Sequence, residues 1–311
     1  MSLSTRLNLR SLVASASIIG VLLASLMLGG CSAVRLGYNN GPSLMYWWLD
    51  SYFDFDDGQT RRMRRDLQAA HDWHRKTELP LLANTLKELQ NLAPKPVSAD
   101  QVCTIVGELQ TRLQVTLERI TPGIAAIAPG LQDAQLEHIA RAYEKRERKW
   151  RDDWLDGSAT ERSERRIKQI VERAESLYGP LEAAQIAVVR THIGQSTFDG
   201  MRQFREMQRR HQESLAVLRK MRSGENSAVQ APAEIRRLLL QTFKSPDPAY
   251  RRYIDQLTTE NCAALANLHN SSTPEQRARL AQALKGYESD ARALAAERLD
   301  DNSSDPTASA L

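Results

Sequence analysis

Four groups of side chains in this 311-residue chain have types and spacings that could do chemistry. Cys31 follows Leu28-Gly29-Gly30 at the end of an apolar run, where two small residues leave its thiol accessible to a modifying enzyme. Cys103 and Cys262 are the remaining cysteines. An even pair of thiols in an oxidising compartment points to a disulfide, with two buried free thiols acting as small hydrophobes as the alternative. His71 and His74 lie three residues apart on one helical face, with Glu78 a turn later, a spacing that could hold a transition metal. Asp50 and Asp54, in the acidic stretch that runs to Asp56 and Asp57, also share a face, and paired carboxylates can do acid–base work, for instance on glycans.

Each of these patterns also has a plainer account. Two histidines at helical spacing arise often by chance, and third and fourth ligands are not visible. No metal site and no cofactor is therefore expected, with His71 and His74 as the candidates to watch. The aspartates are expected to pair with Arg61, Arg62, Arg64 and Arg65. The chain has no glycine-rich phosphate loop, nucleophile elbow, kinase signature set or cysteine cluster, so it is not expected to be an enzyme.

Residues 1–30 have the three parts of an export signal: Arg6 and Arg10 without acids, an apolar run from Leu12 to Leu28, and Gly29-Gly30 at the cut. Its removal takes away two arginines and lowers the formal charge from +4 to about +2. So small a balance, together with export, excludes a nucleic-acid partner. Only 6% of residues are aromatic and the mean hydropathy is −0.48, which suits long solvated helices better than a thick-cored globule.

The elements that must position these residues read as helices throughout. Asn39-Asn40-Gly41-Pro42 is a turn signature within a short tether. Leu44, Trp47, Trp48, Tyr52 and Phe55 then recur at intervals of three and four along one helical face. That face is either an aromatic belt in the lipid interface or, as the neighbouring acids favour, a segment that docks on one end of a bundle. Asp56 or Asp57 caps a helix from about Gln59 to Leu92, with Pro80 expected to kink or divide it. Val102, Ile105, Val106, Leu109, Leu113, Leu117 and Ile120 repeat near 3.6 residues, with Thr121-Pro122-Gly123 as the expected stop. Charged helices follow over 133–154 and 159–177, and a long pattern runs from Leu181 to Met221 with bends at Gly194 and Gly200. Ser223 to Ser227 reads as a linker, and three more helices reach Leu299 before a polar tail over 300–311 that is expected to be disordered. No alternating run suggests a strand.

Five helix starts end in glutamine at the third helical position: Gln59, Gln101, Gln135, Gln185 and Gln276. Each reads as a capping box, and the set loosely resembles the LTxxQ element of Spy-type periplasmic chaperones, helical proteins that cradle unfolded clients. Leu28-Gly29-Gly30-Cys31 resembles the lipobox of bacterial lipoproteins. That resemblance implies cleavage before Cys31, three acyl chains on it, and, with Ser32 next, an outer-membrane destination. Cys31 with Tyr38-Asn39-Asn40, Trp47-Trp48-Leu49-Asp50, Phe53-Asp54, Gln59 and Tyr178-Gly179-Pro180-Leu181 resembles an uncharacterised family of Gram-negative envelope lipoproteins.

The expectation is thus an all-α, elongated bundle of about seven or eight helices behind a lipidated N-terminal tether. Its parts are a signal at 1–30, a tether and aromatic docking segment at 31–56, and a helical domain at 57–299 that could subdivide near 223–231. Expected partners are the membrane, through lipid on Cys31, and another envelope protein or unfolded clients at the periplasmic face of the outer membrane. The functional alternatives are a metal-responsive factor using His71 and His74, or an envelope hydrolase using the acids.

Overall fold

A computed structural model of the protein describes residues 30–224 and 230–297. The expected signal up to residue 29, the linker residues 225–229 and the expected tail at 300–311 lie outside the described residues. Among the described residues there is no strand, and the class is an all-α helical bundle.

Eleven α-helices are described: α1 Gly30–Asn39, α2 Gly41–Phe53, α3 Asp57–Leu92, α4 Ala99–Ile127, α5 Asp133–Trp154, α6 Ala159–Tyr178, α7 Ala183–Gln195, α8 Gly200–Arg222, α9 Ala231–Leu240, α10 Pro248–Asn270 and α11 Pro274–Ala296. A 3-10 turn, Ala128–Gly130, joins α4 to α5. The count exceeds the expected seven or eight because the docking segment is itself the helix α2 and for two further reasons. The stretch after Cys31 is the helix α1 rather than an irregular tether, and the pattern from Leu181 to Met221 is two helices. The second break lies between the two expected bends. Thr197 bonds Glu260 through its backbone N–H and its hydroxyl, and the Asp199 N–H bonds the Tyr253 hydroxyl, so α10 captures the chain there.

Local chemistry accounts for the helix starts. All five glutamine-ended starts use the glutamine as a cap: its side chain accepts from the amide of Asp56, Ser98, Gln132, Glu182 or Thr273. At Asp56, Ser98 and Thr273 the cap side chain also accepts from the third amide, as it does at Ser158 with Glu161, so two otherwise orphaned donors are satisfied. Gly179 ends α6 at φ 79°, a conformation that favours glycine, and the Arg279 side chain lies against it.

Pro80 does not divide its helix, and Pro122 does not stop its own. α3 runs unbroken through Pro80, and α4 continues past Thr121-Pro122-Gly123 for another turn to Ile127. In each case a proline costs one backbone hydrogen bond, and burial of the flanking residues outweighs it. Leu79 and Ala83 are buried beside Pro80, and Ala125, Ile127 and Ala128 beyond Pro122.

At about 1.5 Å per residue α3 spans roughly 54 Å and is the spine of the bundle. Its first half buries Met63 and Leu67 in a core shared with Tyr46 and Leu49 of α2, Leu136 and Ile139 of α5, and Met221 and Ile235 of α8 and α9. α8 and α9 flank residues 225–229, so both sides of the expected linker bury into one core. The second half of α3 packs along α11, where Leu79 and Ala83 meet Ala291 and Leu294. A further core joins α6, α7 and α11 through Ile167, Val189 and Leu280.

Candidate functional site at the first helix pair

The residues singled out by their chemistry converge on α1, α2 and the part of α3 beneath them. α1 and α2 are separated by Asn40, whose side chain donates to the Leu36 carbonyl while its own carbonyl accepts from Leu44, with Pro42 opening α2. The turn is therefore internally bonded rather than loose.

α1 is clamped to the bundle by a polar network. The Tyr38 hydroxyl lies 3.0 Å from His74 Nδ1, and His71 Nε2 lies 3.0 Å from the Tyr38 carbonyl. That carbonyl can only accept, so His71 carries its proton on Nε2. Burial pushes Tyr38 up to about 12 and lowers both histidines, leaving a neutral phenol against two neutral imidazoles. Beside them Arg75, buried in α3, donates to Glu297 at 3.0 Å and to Asn39. Arg35 of α1 pairs with the other oxygen of Glu297. His71 and His74 are thus structural partners of Tyr38, and Glu78, the third expected neighbour, instead faces Arg112 at 3.7 Å. Among the described residues no cluster of three or more histidine, cysteine or acidic groups could hold a metal.

The acids serve the backbone. Asp50 Oδ1 accepts from the Phe55 amide at 3.0 Å, Asp54 ends α2 in the left-handed region at φ 49°, and Asp56 caps α3. The expected pairing of Asp50 and Asp54 with the arginines is not formed. Arg62 bonds Asp66 at 3.5 Å, Arg64 stacks its guanidinium 3.9 Å over the Tyr46 ring, and Arg61 and Arg65 are exposed without ion pairs among the described residues. The short distance along the chain between the arginines and the acids does not bring them together.

α2 has two apolar faces. Tyr46 and Leu49 are buried, Phe53 and Phe55 pack beside them, and the Tyr46 hydroxyl meets Thr60 Oγ1 at 3.0 Å. Leu44, Met45, Trp47 (60% exposed) and Trp48 (54% exposed) face outward. The sequence reading put Leu44, Trp47 and Trp48 on the docking face. The face that docks is instead Tyr46, Leu49 and Phe53, whose own spacing of three and four was the signal available to find it.

Cys103 of α4 and Cys262 of α10 meet at disulfide distance, with sulfurs 2.06 Å and Cα atoms 5.5 Å apart, packed among Val97, Val102, Val106 and Ala266. The clefts are open. One of about 210 Å³ lies between α2, α3 and α4, lined by Leu49, Asp66 and Arg119. Another of about 430 Å³ lies where α5, α6 and α8 meet, lined by Trp154, Arg166 and Phe198. The second also holds Ser163, Asp153 and Asp199, but no hydrogen bond joins the Ser163 hydroxyl to either carboxylate. The side chain of Cys31, at the start of α1, lies outside the described residues.

Compared with known proteins, residues 51–240 match the model of a family of unknown function, DUF6279. No curated protein and no solved structure matches.

Proposed function

The chain belongs to this family of unknown function, and from that premise we propose that it is a lipid-anchored periplasmic protein of the outer membrane that binds other proteins and catalyses no reaction. The lipobox-like Leu28-Gly29-Gly30-Cys31 supports the anchor. Three acyl chains hold a protein stably where one would hold it reversibly. Among the described residues no helix is long and apolar enough to cross a membrane.

The observation that carries the binding role is the middle of α4. Its apolar period is continuous, with α10 covering its start around the cysteine pair and α3 and α9 packing on its later turns. Between them Leu109 (41% exposed) and Leu113 (52% exposed) stand in solvent one helical turn apart. A stripe of this kind on a long helix, flanked by charged residues such as Glu108 and Arg112, fits an extended apolar segment of another chain. The capping boxes' likeness to Spy-type chaperones points to the same class of partner, an unfolded or partly folded envelope protein.

Photo-crosslinking from positions 109 and 113 in living cells tests this reading. Adducts with envelope proteins are expected from both positions and not from a control at exposed Lys168 on α6. Absence of adducts at 109 and 113 in cells where the protein is abundant and intact would overturn it. In vitro, Leu109→Ser with Leu113→Ser is expected to weaken suppression of client aggregation while leaving thermal unfolding unchanged.

A further inference from the structure

We propose that the outer face of α1 and α2, formed by Leu36, Leu44, Met45, Trp47 and Trp48, lies in the interface of the lipid bilayer and seats the body of the protein on the membrane. The inference rests on the lipid-anchor reading above and extends it from one modified residue to a surface. A lipoprotein body is ordinarily free to swing on the residues after its modified cysteine. Here those residues are helix α1, which starts at Gly30 and is fixed to α3 and α11 through Arg35, Tyr38, Asn39, Arg75 and Glu297. At about 1.5 Å per residue α1 is roughly 15 Å long, and an interfacial layer is roughly 5 to 8 Å deep on each side of the hydrocarbon. With Cys31 acylated in the membrane, a rigid α1 keeps the exposed face of α1 and α2 within roughly 15 Å of the lipid.

The chemistry of the face fits that position. Leu36 is 67% exposed in the helix that would carry the lipid. Trp47 and Trp48 present their rings to solvent, and neither indole N–H has a partner among the described residues. Tryptophan prefers the headgroup level because its ring is apolar and its N–H can reach a polar group. A cation sits at its edge: Arg64 lies between the Tyr46 ring and the Trp47 ring, 3.9 and 5.5 Å from their centres, and its chain neighbours Arg61 and Arg65 are exposed without ion pairs among the described residues. Guanidinium groups there meet lipid phosphates. The acids that would argue against a membrane are in part occupied, Asp50 by the Phe55 amide and Asp56 by the Gln59 amide. An apolar face of this size on helices too short to span lies in the plane of the interface.

The test uses the full lipidated protein, purified from envelopes and reconstituted into vesicles of phosphatidylethanolamine and phosphatidylglycerol whose acyl chains carry bromine. Two of the five tryptophans face the lipid, so bromine is expected to quench about two fifths of the emission. In Trp47→Ser with Trp48→Ser the remaining emission is expected to resist quenching, with circular dichroism and thermal unfolding unchanged because both side chains lie outside the core. Equal fractional quenching in the parent and the double variant would overturn the proposal, as would a photo-crosslinker at position 48 that captures a discrete protein in cells. Fatty-acid labelling of Cys31 is read separately on the same preparation. Labelled protein without quenching of Trp47 and Trp48 sinks the surface and leaves the anchor; unlabelled protein sinks the anchor, and then quenching on added vesicles still decides the surface.

Discussion

Gln59 and Gln135, the third residues of α3 and α5, grip each other by their side-chain amides, Gln135 Nε2 lying 2.7 Å from Gln59 Oε1. Each also donates to the carbonyl two residues before the other's cap, Gln59 to Gly130 and Gln135 to Asp54. The relationship recurs at the other end of the chain. Gln185 and Gln276 pair at 2.6 Å, and they donate in turn to Ser271 and Pro180, again two residues before the partner's cap. A glutamine that begins as a local cap thus becomes a long-range tie between two helix starts.

Replacing Gln276 with alanine removes a cap interaction, takes from the buried Gln185 amide its side-chain partner while leaving its bonds to Ser271 and Glu182, and strips the Pro180 carbonyl of its donor. The expected loss is about 2 to 3 kcal/mol in urea unfolding, larger than for an ordinary exposed cap. A double-mutant cycle of Gln185→Ala with Gln276→Ala is expected to show a coupling of at least about 1 kcal/mol. Additive losses would mean that the two amides act independently.

These ties mark how far the sequence could be read. The capping boxes were legible because a box is decided within five residues, and the cysteine pair because chemistry leaves few partners for two thiols. The continuation of α3 through Pro80 and of α4 through Pro122 was not, because local propensity is outweighed there by burial of Leu79, Ala83, Ala125 and Ile127. The actual role of His71 and His74 was hidden because spacing alone cannot show that Tyr38, more than thirty residues earlier, returns to occupy both rings. The outward turn of Trp47 and Trp48 was hidden for a related reason. α2 has apolar residues on every side, and the contacts of Tyr46 and Leu49 with distant helices choose which side is covered.

Cys103 and Cys262 are 159 residues apart, and their bond is expected to form in the oxidising envelope. Both thiols should resist maleimide in denaturant until reductant is added. Closing so long a loop is worth about 3 to 5 kcal/mol in the chain-entropy picture, so reduction should lower the urea midpoint markedly. Ready labelling of both thiols without reductant would show that the bond is absent.

Cys31→Ser is expected to leave the protein uncleaved after Gly30, unlabelled by a fatty-acid probe and slower in its release from membranes only through the retained apolar run. Normal processing of that variant would remove the basis for a lipid anchor.

The last expectation concerns pH. Burial lowers His71, His74, His192, His211 and His269 below the ordinary 6.5, despite the raising effect of hydrogen bonds at His71, His192, His211 and His269. In the unfolded chain these rings take protons first as pH falls, so stability is complete above about 6.5 and drains as pH drops through that value toward the lowered ones. Around the first two rings the new charge is offset only in part. His71 faces the Tyr38 carbonyl and Arg75, with Asp72 only at 4.0 Å, and its Nδ1 is buried without a hydrogen bond; His74 faces the Tyr38 hydroxyl and His71. The urea midpoint is therefore expected to fall between about pH 7.5 and 5.5, before the carboxylates titrate. Hydrogen exchange should show α1 loosening over the same interval, because Tyr38 holds it to both rings. His71→Asn with His74→Asn should flatten that part of the pH dependence while lowering stability at neutral pH. A midpoint that is level across the interval in the parent protein would mean that these rings are solvated enough to titrate as they do in the unfolded chain.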